Sequence, residues 1–289
     1  FSADQRCPIE VCDNASDLTV YDTVTRQLTT SPKVSTTARE NLPTWSPDGR
    51  WLYYISAPRA KDHAEAIAGM YSLVRIACDL EAGTWGEPDT LLSAGRTGRS
   101  YSFPRISPDG SWLVFCAADH GYFTIHNATS DLWIMDLATR AVAPLPVNSE
   151  QSESYHCWSA NGRWMVFSSK RLDGRYARPY LTHVDAGGRF SKPLVLPQRD
   201  PSFYDTYLLN YNVPELVEGP VPMRATRIRD LAYTAPAPAS FDPTVDVDAL
   251  SGLLGNDNDP VEGSPVTAVA ASGTSTQGRL ELERHRAQV

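Results

Sequence analysis

The side chains able to do chemistry fall in a few short stretches. Asp119, His120, Tyr122, His126 and Asn127 share one segment. Two imidazoles and the Asp119 carboxylate are donors that a divalent metal accepts, but their spacing is that of no established metal motif. On a surface loop the same side chains serve a polar contact with another protein. Arg171, Arg175 and Arg178 follow one another closely. Together they could clamp a carboxylate or phosphate; alternatively Arg171 is a tie between strands. Asp257, Asp259 and Glu262 could ligate calcium, or simply cap an Asx-rich turn. His156 and Cys157 are adjacent, and neighbours on a strand point to opposite faces, so they make a poor dyad. The chain has no G-x-S-x-G nucleophile elbow. Cys7 and Cys12 either pair as a disulfide or stay free. Cys78, Cys116 and Cys157 read as small buried apolar residues.

These residues sit on a repeat. Residues 43–56, 104–116 and 156–169 align, with the shared serine at Ser46, Ser107 and Ser159. Each copy opens with a turn, S-P-D-G in the first two and S-A-N-G in the third. Pro presets φ, Asp or Asn tolerates the third position, and Gly supplies the left-handed residue that closes a bulged hairpin. An apolar run follows, such as Trp112-Leu113-Val114-Phe115, of the kind expected for a strand covered on both faces. A third strand comes next at residues 71–76, 131–136 and 180–185, then a turn and a fourth strand. Four strands per unit of this length is the arithmetic of a propeller blade.

With the turn, the apolar strand and Ser169-Lys170-Arg171-Leu172-Asp173-Gly174 in view, the chain resembles the TolB-like propeller repeat. That repeat combines W-S-P-D-G, an apolar strand and S-x-R-x-x-G. Residues 154–214 resemble the C-terminal part of TolB-like translocation proteins, through S-Y-H-C-W-S, L-P-Q-R-D-P and Y-N-V-P-E. The resemblance implies a fold and a periplasmic or cell-surface compartment more than a chemistry.

The expected fold is all-β, with blades of four antiparallel strands at about 41–97, 100–147 and 153–197, and the outer strands of a preceding blade at 15–30. Three blades do not close a ring, so residues 1–225 read as a partial or open propeller, part of a larger polypeptide or assembly, with an uncovered apolar face on its N-terminal side. Asp200-Pro201 is expected to start a short helix packing through Phe203, Tyr204, Tyr207 and Leu208. From residue 236 to 278 there is no Lys or Arg. Residues 226–289 are therefore either an irregular acidic tail or a partial module, since L-x-N-D-x-D-P resembles the opening of cadherin-like, immunoglobulin-type surface modules.

The formal net charge of -8 argues against nucleic-acid binding, and no apolar run approaches the length of a membrane span. The reading that follows is a non-catalytic exported propeller scaffold binding a protein or cell-envelope partner. It needs no cofactor, with calcium in the tail as the exception. The rival is a propeller-type polysaccharide lyase, or a hydrolase accessory domain, with a metal in the channel. The inserts at residues 60–70 and 117–129 exceed the repeat's minimum and are expected to form the partner surface.

Overall fold

The computed structural model describes residues 13–219, and the backbone of the strand Thr267–Ser272. Strands β1 (Asp17–Asp22) and β2 (Leu28–Thr29) come first. β3 (Arg39–Trp45), β4 (Trp51–Ala57) and β5 (Ser72–Asp79) follow, and β6 (Thr84–Trp85) and β7 (Asp89–Leu92) both pair with β5. The next sheet is β8 (Ser100–Ile106), β9 (Trp112–Ala118), β10 (Asp131–Asp136) and β11 (Val142–Pro144). The last is β12 (Glu153–Trp158), β13 (Trp164–Ser169), β14 (Arg178–His183) and β15 (Leu194–Val195). All three sheets are antiparallel meanders in chain order. Their first strands are gathered side by side, β3 against β8 and β8 against β12. Successive meanders arranged in this way are propeller blades.

Local chemistry dictates the turn between the first two strands of each blade. In the first blade Ser46 Oγ accepts from Trp51 N at 3.0 Å and donates to Asp48, while Gly49, at φ 69°, donates its N–H to Ser46 O at 2.9 Å. Ser107, Asp109 and Gly110 repeat the pattern, as do Ser159, Asn161 and Gly162. Trp51, Trp112 and Trp164 take the same register position, opposite Ala77, Asp136 and His183.

A second repeated device lies in the first strands. Leu42, Phe103 and Tyr155 each stand four residues before the shared serine, at φ 51°, 49° and 55°. Each sits within a β-bulge of the pairing with the second strand. A left-handed non-glycine residue costs about 1–2 kcal/mol. Packing offsets that cost: Phe103 meets Tyr155 edge-on at 5.0 Å, and Leu42 lies against the apolar layers on both sides of the second blade. The bulge also accommodates Pro43 and Pro104, which lack the N–H an uninterrupted inner strand would use.

The core is a series of layers between blades. Leu113, Phe115 and Met135 face the first blade, while Val114, Cys116 and Leu132 face the third. Leu113 and Val114, successive on β9, are both fully buried, as expected for a strand covered on two faces. Trp164 departs from that expectation at 41% exposure, on the outer face of the last described blade.

Two further expectations are corrected. The N-terminal face of the first blade is not uncovered, because Leu18 and Val20 of β1 pack on Leu52, Tyr54 and Ile76. The short helix Phe203–Thr206 is preceded by Ser202 in the cap position, not by Asp200-Pro201. Asp200 instead holds Ser202 N and Oγ at 2.9 and 2.8 Å, two residues before the cap position. Phe203 stacks on Tyr207 at 4.8 Å, whereas Leu208 is exposed.

Strand β16 (Thr267–Ser272) pairs in parallel with β1, joining the propeller's first sheet. Cys7 and Cys12, and Asp257, Asp259 and Glu262 with their calcium reading, lie outside the described residues. Among the described residues no helix is long and apolar enough to cross a membrane.

Candidate functional site

The two inserts link the second and third strands of neighbouring blades, so both emerge at the same end of the sheets. The first insert folds into a helical turn, His63–Ile67. Asp62 caps it by accepting from Glu65 N at 2.9 Å, and Glu65 reaches back to Lys61 N at 2.9 Å. The second insert reverses at Gly121, φ 71°, and makes a 3-10 turn at Thr124–His126. Asn127 Oδ1 accepts from Thr129 N and Oγ1, closing the loop on itself.

The inserts dock on each other. Gly121 N donates to Gly69 O at 2.7 Å, and the rings of Tyr71 and Tyr122 meet edge-on at 5.1 Å. Ser100 Oγ accepts from Tyr71 N at 2.9 Å and donates to Gly121 O at 2.6 Å. Arg39 is buried beneath, with Nε on Pro58 O at 2.9 Å and Nη1 on the carbonyls of Asp13 and Ala66 at 3.2 and 3.3 Å. Its guanidinium lies 4.9 Å from the Tyr71 centroid. Gly69 permits this approach: a Cβ there would stand 2.5 Å from Arg39 Nη2. Tyr122 is buried, with its hydroxyl 3.1 Å from Asp13 Oδ2. Burial pushes the Asp13 carboxyl up, against the opposing pull of Tyr122 and Arg39.

Above this framework the inserts present Lys61, Asp62, His63, Glu65, Ile67, Asp119, His120 and His126 to solvent. Asp119 takes its place through its N–H on Thr129 Oγ1 at 3.1 Å, and His120 Nδ1 lies 3.4 Å from Asn127 Nδ2. Partial covering of its otherwise exposed ring, and then nearby Lys170, hold His126 below its ordinary value. Among the described residues no three His, Cys, Asp or Glu side chains converge as a metal site, so Asp119, His120 and His126 are not brought together as ligands.

The arginines do not form a clamp, because each has a different environment. Arg171 bonds Val147 O at 2.6 Å and Glu153 Oε1 at 3.0 Å and lies over the Tyr180 ring, tying strands together. Arg178 is buried, bonding Leu209 O and Tyr207 O at 2.6 and 2.5 Å among Tyr176, Tyr204 and Tyr207. Arg175 is exposed.

One polar cluster escaped sequence reasoning. Cys116 Sγ lies 3.4 Å from Ser154 Oγ and 3.8 Å from His156 Nδ1, with Thr124 Oγ1 3.2 Å from both Ser154 and Ser102. The signal was a polar side chain recurring just before each left-handed residue, at Asn41, Ser102 and Ser154. Burial pushes the Cys116 thiol up and the His156 imidazole down to about 3. The pair is therefore held neutral, the opposite of the thiolate–imidazolium form a cysteine nucleophile requires.

No family model and no curated protein matches the chain. Among solved structures it is similar to the β-propeller domain of the Trilobed protease from Pyrococcus furiosus, at 15% identity and TM-score 0.32, covering 57% of this chain and 44% of that one. It is similar to an oligogalacturonate lyase in complex with manganese, at 15% identity and TM-score 0.41, covering 60% and 47%. It is also similar to a puromycin-hydrolyzing peptidase from Mycobacterium tuberculosis, at 17% identity and TM-score 0.40, covering 56% and 24%. The matched part spans less than half the length of each of these proteins. At these identities and scores the likeness does not extend to chemistry.

Proposed function

We propose that the chain is a non-catalytic, exported propeller portion whose fused inserts bind a protein or another cell-envelope component. The observation that carries this reading is the docking of the two inserts through Gly69 and Gly121. A surface held by a main-chain hydrogen bond and by buried Arg39 is ordered before a partner arrives, which lowers the ordering cost of binding. Its exposed mixture of His, acidic and basic side chains around Ile67 suits a polar protein interface. The TolB-like resemblance supports a periplasmic or cell-surface setting.

The test uses the full chain immobilised against envelope extract, beside Ile67→Glu and His120→Glu variants. Both positions are exposed, so the fold is expected to persist. Both variants should lose the same captured species. Retention of every species by both variants would contradict the proposal. So would metal-dependent turnover of a polysaccharide abolished by replacing His120 or His126.

A further inference from the structure

The turns at the opposite end of the sheets frame a cavity of about 560 Å³ lined by Asp109, Ser111, Trp112, Asp136 and Ala186. Leu137 N donates to Ser111 O at 3.0 Å, tying the two turns of the second blade together, and Asp136 stands opposite Trp112 in the β9–β10 register. Gly188 of the third blade lies against the half-buried Trp112 ring, where a Cβ would stand 2.8 Å away. The ring also lines an adjoining cavity of about 340 Å³. Asp109 Oδ1 accepts from Ser107 Oγ and Ser111 N, and Asp136 Oδ1 accepts from Ala138 N and Thr139 N. Such bonds hold both carboxyls below the usual range, so each is charged at neutral pH.

In the neighbouring blades arginines of the chain itself meet such groups. Asp48, the counterpart of Asp109, lies 3.9 Å from Arg50 Nε, and Asp185, which opens the corresponding turn of the third blade, accepts from Arg189 Nε at 2.8 Å. The Arg75 guanidinium stands 4.3 Å from the ring centroid of Trp51, the counterpart of Trp112, and bonds Asp89 at 3.0 Å. In the second blade Ser111 takes the place of Arg50, and Ile134 takes that of Arg75 in the register. Arg140, four residues after Asp136 as Arg189 is after Asp185, reaches across to Asp89 at 2.6 Å instead. Arg163, on the adjoining cavity, turns its Nε to Val184 O at 3.4 Å. Among the described residues neither Asp109 nor Asp136 has an ion-pair partner.

We propose that this cavity receives an arginine side chain of a partner protein, with its guanidinium against Trp112 and between Asp109 and Asp136. A planar guanidinium combines stacking with carboxylate bonding, as Arg75 does with Trp51 and Asp89. Asp109, Gly110, Ala138 and Ala186 are exposed, so the cavity opens at the blade tips, where a side chain from another protein can enter. The inference goes beyond the insert surface, which lies at the other end of the sheets, and does not rest on it.

The probe is the amidated peptide acetyl-Gly-Arg-Gly, titrated into the full chain while the indole N–H resonance of Trp112 is followed, with Trp112→Phe assigning that resonance. A saturable shift is expected. Asp109→Asn and Asp136→Asn should each weaken binding about three- to tenfold. Both keep the Oδ1 acceptor of their turns, and Asn161 already stands at the position of Asp109 in the third blade, so the fold is expected to persist. Ser111→Arg, which gives the second blade the cation that Arg50 gives the first, should weaken binding similarly. Asp48→Asn should leave it unchanged, and so should Ile67→Glu, so failure of this site and failure of the insert surface give different results. The absence of a saturable Trp112 shift, or equal affinity in all variants, would overturn the proposal. Equal affinity for acetyl-Gly-Lys-Gly would overturn the guanidinium assignment. Free arginine binding more tightly than the peptide would overturn a protein side chain as its source, and calcium shifting Trp112 at lower concentration than the peptide would overturn an organic cation.

Discussion

The amide of Gly121 meets the carbonyl of Gly69 at 2.7 Å, so loops inserted into two neighbouring blades share a main-chain hydrogen bond. Bonds of this kind usually join strands; here one joins two insertions that the repeat does not require.

Gly69→Ala should undo that union. The added Cβ would stand 2.5 Å from Arg39 Nη2, and a buried guanidinium holding three carbonyls has little room to retreat. Hydrogen exchange at the Gly121 amide should accelerate about tenfold or more, while core amides of β9 exchange as before. Unchanged exchange at Gly121 would show that the docking does not depend on the Gly69 approach.

Acid should destabilise the fold through His156. Its folded pKa, about 3, lies below the ordinary 6.5, because the ring is fully buried. The unfolded chain therefore binds the extra proton, and this contribution is complete above pH 6.5 and lost as pH falls toward 3. The slope is on the order of 1.4 kcal/mol per pH unit. Urea midpoints between pH 6.5 and 4.5 should fall for the wild type and flatten for His156→Gln. Parallel profiles would place the acid sensitivity elsewhere.

Arg171 and Arg175 should separate cleanly. Arg171→Met removes a partner from Glu153, which is fully buried, and should cost about 2–4 kcal/mol in urea unfolding. Arg175→Met, at an exposed position, should change little. The reverse ranking would restore a surface role for Arg171.

Two turn glycines should also differ. A Cβ on Gly110 meets nothing within 4 Å, so Gly110→Ala costs only the left-handed backbone, about 1 kcal/mol. A Cβ on Gly188 would stand 2.8 Å from the Trp112 ring, so Gly188→Ala should cost more and shift tryptophan fluorescence. Equal midpoints for the two variants would mean that Trp112 moves aside freely.

The blades were legible in the sequence because their signals are local. Ser46, Asp48 and Gly49 determine their turn within four residues, and the period repeats it. The left-handed Leu42, Phe103 and Tyr155 were not legible, since nothing about Leu, Phe or Tyr announces positive φ; only Pro43 and Pro104 hint at a bulge. Arg178 was misread for a related reason: its partners are carbonyls of Tyr207 and Leu209, roughly 30 residues away, and main-chain acceptors leave no mark on residue types. The inserts were visible as extra length, but their union through Gly69 and Gly121 was not, because it too is made by backbone atoms.

The most direct test of the central claim places a photo-crosslinking residue at Ile67 in one full-length variant and at His120 in another, with exposed Val24 as control. If the inserts are one docking surface, illumination in envelope extract gives the same adduct mass from positions 67 and 120 and none from 24. Different adducts from 67 and 120, or the same adduct from all three positions, would contradict it.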